Sequence, residues 1–309
     1  TRRRGLPLSV QGWLFRNQSR KACATGRVLV RGAKIGSWRF ITRFGQRHKE
    51  LAGKFANGHF EAVYFAKIPY REAMTEDEMA ALVLYRDAMM LVLNKPAGLA
   101  VHRGPKAAFG KHEALELHFD KLKFGLPRAP ALAHRLDRDT SGCLVLGRHR
   151  KALEDLAQLF RNGGVGKTYL ALVEGTPDQQ QGLIDLPLQK RDAQRGWWMK
   201  VDPEGLPSQT RFQCLGTQAN LSLMALQPLT GRTHQLRVHM AAMGWPIMGD
   251  PVYGLAPRQG GPVLHLHAAT VTVPLYKNKA PIVVKAPLPA HMASTFAELG
   301  FVVDLENLS

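Results

Sequence analysis

The distribution of apolar and polar residues predicts a chain of many short strands and few helices. Two apolar runs on either side of Arg86-Asp87, within Leu82–Gly98, predict a pair of strands followed by a turn at Pro96–Gly98. The patterns also predict strands at five other places, and these are Cys143–Gly147, Thr168–Val173, Thr210–Leu215 paired with Leu221–Gln227, Leu264–Val273 and Ile282–Val284.

Helices are predicted at four places. Apolar residues recur at helical spacing in Lys151–Arg161 and near Pro289–Leu299, and Gly300 ends the second helix. Thr75 and Glu78 form a capping box that predicts a short helix. Leu229–Pro246 is predicted as a turn that leads into another short helix, whereas Gly104–Phe119 and Gln189–Pro207 are predicted as loops.

Strands outnumber helices and do not alternate with them regularly, which favours an α+β fold with a predominantly antiparallel mixed β-sheet. Residues 1–60 are rich in Gly, Arg and Lys and contain two short β segments within Ala24–Gly36. We therefore predict a small basic N-terminal segment with its linker over residues 1–74 and the main domain over residues 75–309.

The charge is the strongest global signal. The chain has 42 Lys and Arg against 24 Asp and Glu, a net charge of +18, and residues 1–60 hold 14 of these cations but only Glu50 as an acid. Such an asymmetry favours a nucleic-acid partner over a basic disordered arm. No helix-turn-helix, zinc-finger or ribbon pattern supports a DNA-binding protein.

The remaining composition narrows the class of protein further. No apolar run reaches the roughly 18 residues of a membrane span, so we expect no membrane contact. The three cysteines are far apart, and the histidines have no ligand partners at metal-binding spacing, so we predict no metal and a reducing, cytoplasmic location. We also expect a monomer. The stretch Gly163–Tyr169 fails the P-loop spacing, so we also predict no cofactor.

Two polar clusters interrupt the apolar pattern. The segment HRLDRDTSG, His134–Gly142, holds two arginines, two aspartates and a histidine between apolar runs. The segment GRTHQLRVH, Gly231–His239, places Arg237 among apolar neighbours. A partly buried arginine needs an anionic partner. The residues alone leave open whether that partner is an aspartate of the first cluster or a bound phosphate.

HRLDRDTSG resembles the H-R-L-D-x-x-T-S-G signature of the RluA-type RNA pseudouridine synthases. Three other segments resemble motifs of that family in the same order, and the resemblance covers residues 82–290; these segments are Leu91–His102, Lys167–Gly175 and Pro228–Gly254. Asn94 stands where family members usually carry Asp. Many members begin with an S4 RNA-binding domain, and Ser19–Ile35 resembles the second half of that domain. Residues 1–74 are therefore expected to be S4-like or partly disordered.

The resemblance implies a catalytic domain of pseudouridine synthase type that isomerises uridine in RNA without a cofactor, after flipping the base out. It assigns the catalytic carboxylate to Asp137, paired with Arg237, and leaves Asp139 paired with Arg138. Tyr169 would stack on the uracil and assist at its C5 proton. The implied substrate contacts are Arg135, which fills the space left by the base, Leu236, Thr140, Lys167 and Arg232.

Two questions about function stay open at this level. The resemblance favours 23S ribosomal RNA as substrate, with transfer RNA as the alternative. Trp197 and Trp198 are candidates for stacking on its bases and equally for a packing cap. A catalytically inactive RNA-binding or ribosome-assembly factor with the same fold is the competing hypothesis. The presence of Asp137, Tyr169 and Arg237 together weighs against that hypothesis.

Overall fold

A computed structural model describes residues 74–102, 114–191 and 198–305, together with four strands of the N-terminal part. The chain divides into two units, Thr1–Glu72 and Ala73–Ser309. The four strands of the first unit form an antiparallel sheet in the order β1-β4-β3-β2, and they are β1 Leu29–Arg31, β2 Ser37–Phe44, β3 Arg47–Ala56 and β4 His59–Tyr64. Most of Ser19–Ile35, the segment with the S4-like resemblance, lies outside the described residues.

The described part of the second unit contains twelve strands, four α-helices and a 3₁₀ helix. The strands are β5 Val83–Arg86, β6 Met90–Lys95, β7 Ala131–Leu132, β8 Ser141–Gly147, β9 Gly166–Glu174, β10 Gln181–Asp185, β11 Leu188–Lys190, β12 Met199–Val201, β13 Gln209–Gln218, β14 Leu221–Pro228, β15 Leu266–Val273 and β16 Ile282–Lys285. The helices are α1 Glu76–Ala81, the 3₁₀ helix Leu115–Leu122, α2 Arg150–Arg161, α3 Gln235–Ala242 and α4 Ala290–Leu299.

Ten of these strands form one large sheet. Its order is β10-β13-β14-β9-β15-β8-β6-β5, with β16 beside β15 and β7 beside β8. In the part of the chain that the structure describes, β8 and β15 are its one parallel pair. The α+β fold with a predominantly antiparallel mixed sheet is therefore confirmed. None of the described helices has the length and apolar character that a membrane crossing requires.

Local sequence explains most of the elements that frame the site. The predicted capping box begins α1, since the Thr75 hydroxyl accepts from the Glu78 amide and the Glu78 carboxylate accepts from the Thr75 amide. Every residue of β8 is buried, as its continuous apolar run predicts. The predicted loops were wrong in two places, because Leu115–Leu122 is a 3₁₀ helix that buries Phe119 and because β11 and β12 pair within the second loop.

The strand register brings distant motifs to one point of the sheet. Ala268 of β15 pairs with Gly142 at the start of β8 and with Tyr169 of β9, while Tyr169 also pairs with Leu226 near the end of β14. Gly142 has φ of +106°, and a Cβ there would lie 2.2 Å from the Ala268 carbonyl oxygen. Only glycine allows this approach. The register therefore places the loop before β8, residue Tyr169 and the turn after β14 next to one another.

Candidate active site

All eight residues predicted to form the site line one cleft of about 540 Å³. They come from the loop before β8, from β9 and from the turn and helix after β14, and they are Arg135, Asp137, Thr140, Lys167, Tyr169, Arg232, Leu236 and Arg237. The cleft therefore lies where the register of the sheet brings the three motifs together.

The loop before β8 separates its two aspartates. The Thr140 amide donates to the Asp137 carbonyl at 3.2 Å and closes a turn, which leaves the Asp137 side chain 18% exposed in the cleft. Arg138 Nε donates to Asp139 Oδ1 at 2.9 Å, so this neighbouring carboxylate has its own cation outside the cleft lining. The structure thus agrees with the predicted pairing of Arg138 with Asp139 and with Asp137 as the carboxylate of the cleft.

A buried lysine, not predicted from the sequence, holds this loop in place. Lys95 is fully buried, and its ammonium donates to the carbonyls of Pro96, Leu99 and Arg138 at 2.7–2.8 Å. The Gly98 amide also donates to the Arg138 carbonyl, at 2.9 Å. Burial lowers the pKa of Lys95 to about 7, against the opposing charges of nearby carboxylates. The signal in the sequence was a lysine at the end of a strand that begins with the apolar run Met90–Leu93.

Arg237 contacts two carboxylates. Its Nε and Nη2 donate to the two oxygens of Asp250 at 2.7 and 2.8 Å, and its Nη1 lies 3.7 Å from Asp137 Oδ2. Burial opposes the charge of Arg237, but the hydrogen bonds and charge of Asp250 together with the charge of Asp137 outweigh it and raise its pKa. The predicted pairing with Asp137 is therefore present as a longer ionic contact, and Asp250 is the hydrogen-bonded partner.

Asp250 is a buried partner of Arg237 that the sequence analysis did not identify. It is fully buried, and besides Arg237 it accepts from the amides of Val252 and Tyr253 at 2.9 and 3.1 Å. Burial opposes its charge, yet these donors lower its pKa. A signal was available, because Asp250 is the one acidic residue between Glu204 and Glu298.

His234 and Tyr253 complete the surroundings of Asp137. His234 Nε2 lies 3.7 Å from Asp137 Oδ2, and its Nδ1 lies 2.8 Å from the Tyr253 hydroxyl. The Tyr253 ring also lies beneath the guanidinium of Arg237, with 5.2 Å between Cζ and the ring centroid. Burial lowers the pKa of His234, partly opposed by the charge of Asp137.

Hydrogen bonds of Gln235 fix the turn from which α3 begins. Its amide nitrogen donates to the Gln209 carbonyl and the Thr210 hydroxyl at 2.9 and 3.0 Å. Its amide oxygen accepts from the Thr230 hydroxyl and the Arg232 amide at 2.7 and 3.0 Å. The turn and helix that carry Arg237 are therefore held against β13.

Tyr169 and Leu236 form the apolar side of the cleft. Leu236 is buried in a cluster against which Tyr169 packs. Burial raises the pKa of Tyr169, and the negative charge of Asp137 raises it further. At neutral pH the side chain is therefore a phenol that presents an aromatic face and a polar end.

The other predicted contacts lie at different depths. Arg135 and Arg232 are exposed at the cleft, and Arg232 Nε donates to the Pro207 carbonyl at 3.1 Å. Lys167 is half-buried, and burial lowers its pKa. His134 stacks on Phe160 with 4.4 Å between ring centroids.

The two tryptophans that are candidates for stacking on RNA bases lie on the predicted loop Gln189–Pro207. Trp197 lies outside the described residues. Trp198 is partly buried, and the guanidinium groups of Arg258 and Arg191 lie 5.0 and 5.8 Å from its ring centroid. Trp198 is therefore already packed against two cations beside β12.

Sequence comparison agrees with the geometry. Residues 89–242 match the family described as RNA pseudouridylate synthase. An uncharacterized RNA pseudouridine synthase of Zymomonas mobilis is 41% identical over 225 residues, which are 72% of this chain and 99% of that protein. The ribosomal large subunit pseudouridine synthase C of Vibrio cholerae is 37% identical over 228 residues, which are 72% of this chain and 70% of that protein.

Solved structures show the same fold. Human RNA pseudouridylate synthase domain containing 4 superposes with a TM-score of 0.61 at 24% identity, over 73% of this chain and 95% of that one. Its relative, domain containing 1, gives 0.56 at 27% identity, over 71% and 87%. The family match and the sequence relatives, on this fold and cleft, show an RNA-modifying enzyme of the isomerase class. The chain belongs to the RluA-type RNA pseudouridine synthases, which convert uridine in RNA to pseudouridine.

Proposed function

We propose that this enzyme acts on specific uridines of large-subunit (23S) ribosomal RNA and that Asp137 is its catalytic carboxylate. The observation that carries the proposal is the position of Asp137 in the cleft, beside Arg237 at 3.7 Å and near the phenol of Tyr169. The choice of RNA is supported by the names of relatives such as the Vibrio cholerae enzyme, which specify the ribosomal large subunit.

The chemistry requires little more than one ionised carboxylate. The N1–C1′ bond of the uridine breaks, the uracil turns, and C5 bonds to C1′ while its proton leaves and N1 gains one. Asp137 starts this sequence either by attack on C1′ or by removal of a ribose proton. Burial alone disfavours a charged carboxylate, and the guanidinium of Arg237 offsets that cost.

The other cleft residues suit a flipped uridine. The exposed guanidinium of Arg135 is placed to fill the space that the base leaves, since it can stack and donate hydrogen bonds. Tyr169 and Leu236 provide apolar surface for the uracil. Because the pKa of Tyr169 is raised, we assign it stacking and hydrogen bonding rather than a role as the phenolate base. Thr140 shapes the loop, and Lys167 and Arg232 contact the RNA.

We further propose that the enzyme works as a monomer; in support, all eight predicted site residues of this chain meet in one cleft. The S4-like or partly disordered nature of residues 1–74 stays a prediction, as does residue 75 as the start of the catalytic domain.

Release of tritium from RNA labelled at uridine C5 tests the proposed activity. The purified enzyme should release tritium from RNA of a strain that lacks its gene, and mapping of pseudouridine in that strain should show the loss of positions in 23S RNA. Loss confined to transfer RNA would contradict the proposed substrate, and no release from any RNA would contradict the reaction.

A further inference from the structure

His234 lies in a strained position that points to a specific task. It precedes α3 as the N-cap residue with φ of 52°, a left-handed conformation that residues with a Cβ rarely adopt. Its side chain makes no capping hydrogen bond and is only 9% exposed. Such backbone strain persists where surrounding contacts hold it, and it concentrates at functional sites.

The contacts of Tyr253 indicate the tautomer of this histidine. The Tyr253 hydroxyl accepts from the Met199 amide at 2.9 Å and lies 2.8 Å from His234 Nδ1. Within the described ranges these are its two hydrogen-bond neighbours, so its single proton is directed to Nδ1. Nδ1 is then the acceptor, and the proton of the neutral ring lies on Nε2.

The protonated nitrogen faces the catalytic carboxylate. His234 Nε2 and Arg237 Nη1 each lie 3.7 Å from one oxygen of Asp137, Oδ2. This distance is longer than a hydrogen bond, and catalytic contacts of this kind tighten in the substrate complex. Two donors on Oδ2 would orient the carboxylate so that its other oxygen, Oδ1, faces the ribose.

We propose that His234 is a positioning residue: its Nε2–H, oriented by Tyr253, holds Asp137 Oδ2 together with Arg237 and directs Oδ1 to the ribose. The inference rests on the proposed role of Asp137. It adds a donor that needs no positive charge, because burial lowers the pKa of His234 and keeps the ring neutral.

Several charged or titratable groups face this pair and shape its pH dependence. Arg135, Arg237 and Asp250 act on His234. Lys95 and Tyr169 interact with Asp137, and Tyr253 interacts with both His234 and Asp137. Since the Arg237 and Asp250 side chains form an ion pair, loss of His234 removes a neutral donor and leaves these charges in place.

The test compares His234→Ala with His234→Gln, whose amide nitrogen can occupy the place of Nε2. We expect His234→Ala to reduce kcat for tritium release about tenfold with little change in KM, the size expected for a hydrogen bond to a charged group. The acid limb of its pH–rate profile should move to higher pH, because the charged carboxylate loses a donor. His234→Gln should restore most of the kcat and return the acid limb towards its wild-type position.

Two further variants separate positioning from folding. Tyr253→Phe should give an intermediate effect with the same direction of shift, and it replaces the alanine variant if that protein does not fold. His239→Gln is the structural control on the same helix, because its ring contacts Thr210 and the Leu186 carbonyl at 3.0 Å, and it should reduce stability without moving the acid limb.

The outcomes distinguish this inference from the function on which it rests. An active wild type whose acid limb stays unchanged in His234→Ala and Tyr253→Phe would overturn the positioning role alone. Lower activity that His234→Gln does not restore would do the same. A wild type that forms no pseudouridine would overturn both the positioning role and the proposed function.

Discussion

At the scale of single residues, the site depends on one buried arginine between two carboxylates. Arg237 is bound by Asp250 through two short hydrogen bonds and reaches Asp137 with its remaining nitrogen. This arrangement separates two tasks, because Asp250 fixes the guanidinium and Asp137 stays available in the cleft. A bidentate partner gives the arginine a defined direction as well as charge compensation.

Asp250→Asn should therefore impair both stability and activity. It leaves Arg237 buried with one carboxylate at a longer distance, and breaking a buried pair in this way costs about 3–5 kcal/mol of the free energy of unfolding. Urea denaturation measures that loss, and tritium release should fall with it. Asp178→Asn, at an exposed loop position, is the control and should unfold like the wild type. Equal stability of the two variants would contradict this account of Asp250.

The residues named from the sequence and those missed differ in whether the family resemblance gave them a role. Asp137 and Tyr169 stand in motifs that resemble those of the RluA-type family, and that resemblance implied their roles. Lys95 and Asp250 act through partners 43 and 13 residues away, and the side-chain geometry becomes visible only in three dimensions. Periodicity describes burial, but it does not pair a buried charge with its partner.

At the scale of elements, the junction of β8 and β15 positions the loop that carries Asp137. Gly142 and Ala268 are in close contact there, and the Ser141 hydroxyl lies 2.8 Å from His267 Nδ1 in the same strand pair. β8 and β15 are paired over only a short stretch, so this parallel pair inside an antiparallel sheet depends on these contacts.

Gly142→Ala should destabilise the protein more than Gly98→Ala. Both glycines have positive φ, at +106° and +83°, but a Cβ at Gly98 would meet no atom within 4 Å. We expect about 1 kcal/mol for the backbone strain at Gly98 and about 3 kcal/mol or more at Gly142, where a clash is added. Thermal unfolding checks the difference, and similar losses would show that the close approach to Ala268 is not required.

The His267 ring should make stability fall at acid pH. It is fully buried, accepts from Ser141 and donates to the Ala286 carbonyl at 3.3 Å, and burial lowers its pKa from 6.5 to about 4. As the pH falls, the imidazole of His267 is protonated in the unfolded chain before it is protonated in the folded protein. The stability that the neutral ring contributes is therefore complete above pH 6.5 and is lost as the pH falls towards 4.

For a pKa change of this size, the free energy of unfolding falls by about 3 kcal/mol. His267→Gln should be less stable at neutral pH but should show a shallower decline between pH 7 and pH 4 in urea denaturation. An equally steep decline in the variant would assign the acid sensitivity to other groups.

The patterns along the chain predicted elements well where burial was one-sided or complete. The helices α2 and α4 and the hairpin of β13 and β14 appear where apolar spacing and turn residues predicted them. The short strands β10 to β12 were missed, because their residues are mostly exposed or partly exposed and carry no clear period. The register at Ala268 was beyond prediction, since it depends on pairing between strands more than a hundred residues apart.

At the scale of the whole molecule, charge is distributed unevenly between the two units. Residues 1–60 carry 14 of the 42 cations and one acid, and their described strands form a sheet of their own. Such a segment suits the sequence-independent part of RNA binding, because phosphate contacts release counterions. The cleft of the second unit would then select the uridine.

The affinity for RNA should therefore fall steeply with salt, and Arg2→Gln/Arg3→Gln should flatten that dependence. If both side chains contact phosphates, the slope of log Kd against log salt concentration should decrease by about 1.5. Arg150→Gln/Lys151→Gln is the matched control, since these cations already pair with Glu154 and Asp155 on α2. Equal slopes for the two double variants would argue against a binding role for the N-terminal residues.

The central claim is that Asp137, and not its neighbour Asp139, carries out the reaction. The most direct measurement is single-turnover formation of pseudouridine in 23S RNA from the deletion strain by Asp137→Asn and Asp139→Asn, with thermal unfolding to show that both variants fold. We predict no detectable product with Asp137→Asn and nearly wild-type conversion with Asp139→Asn, which loses its pairing with Arg138 outside the cleft and a charge interaction with Lys95. Product formation by Asp137→Asn at a rate near that of the wild type would contradict the account.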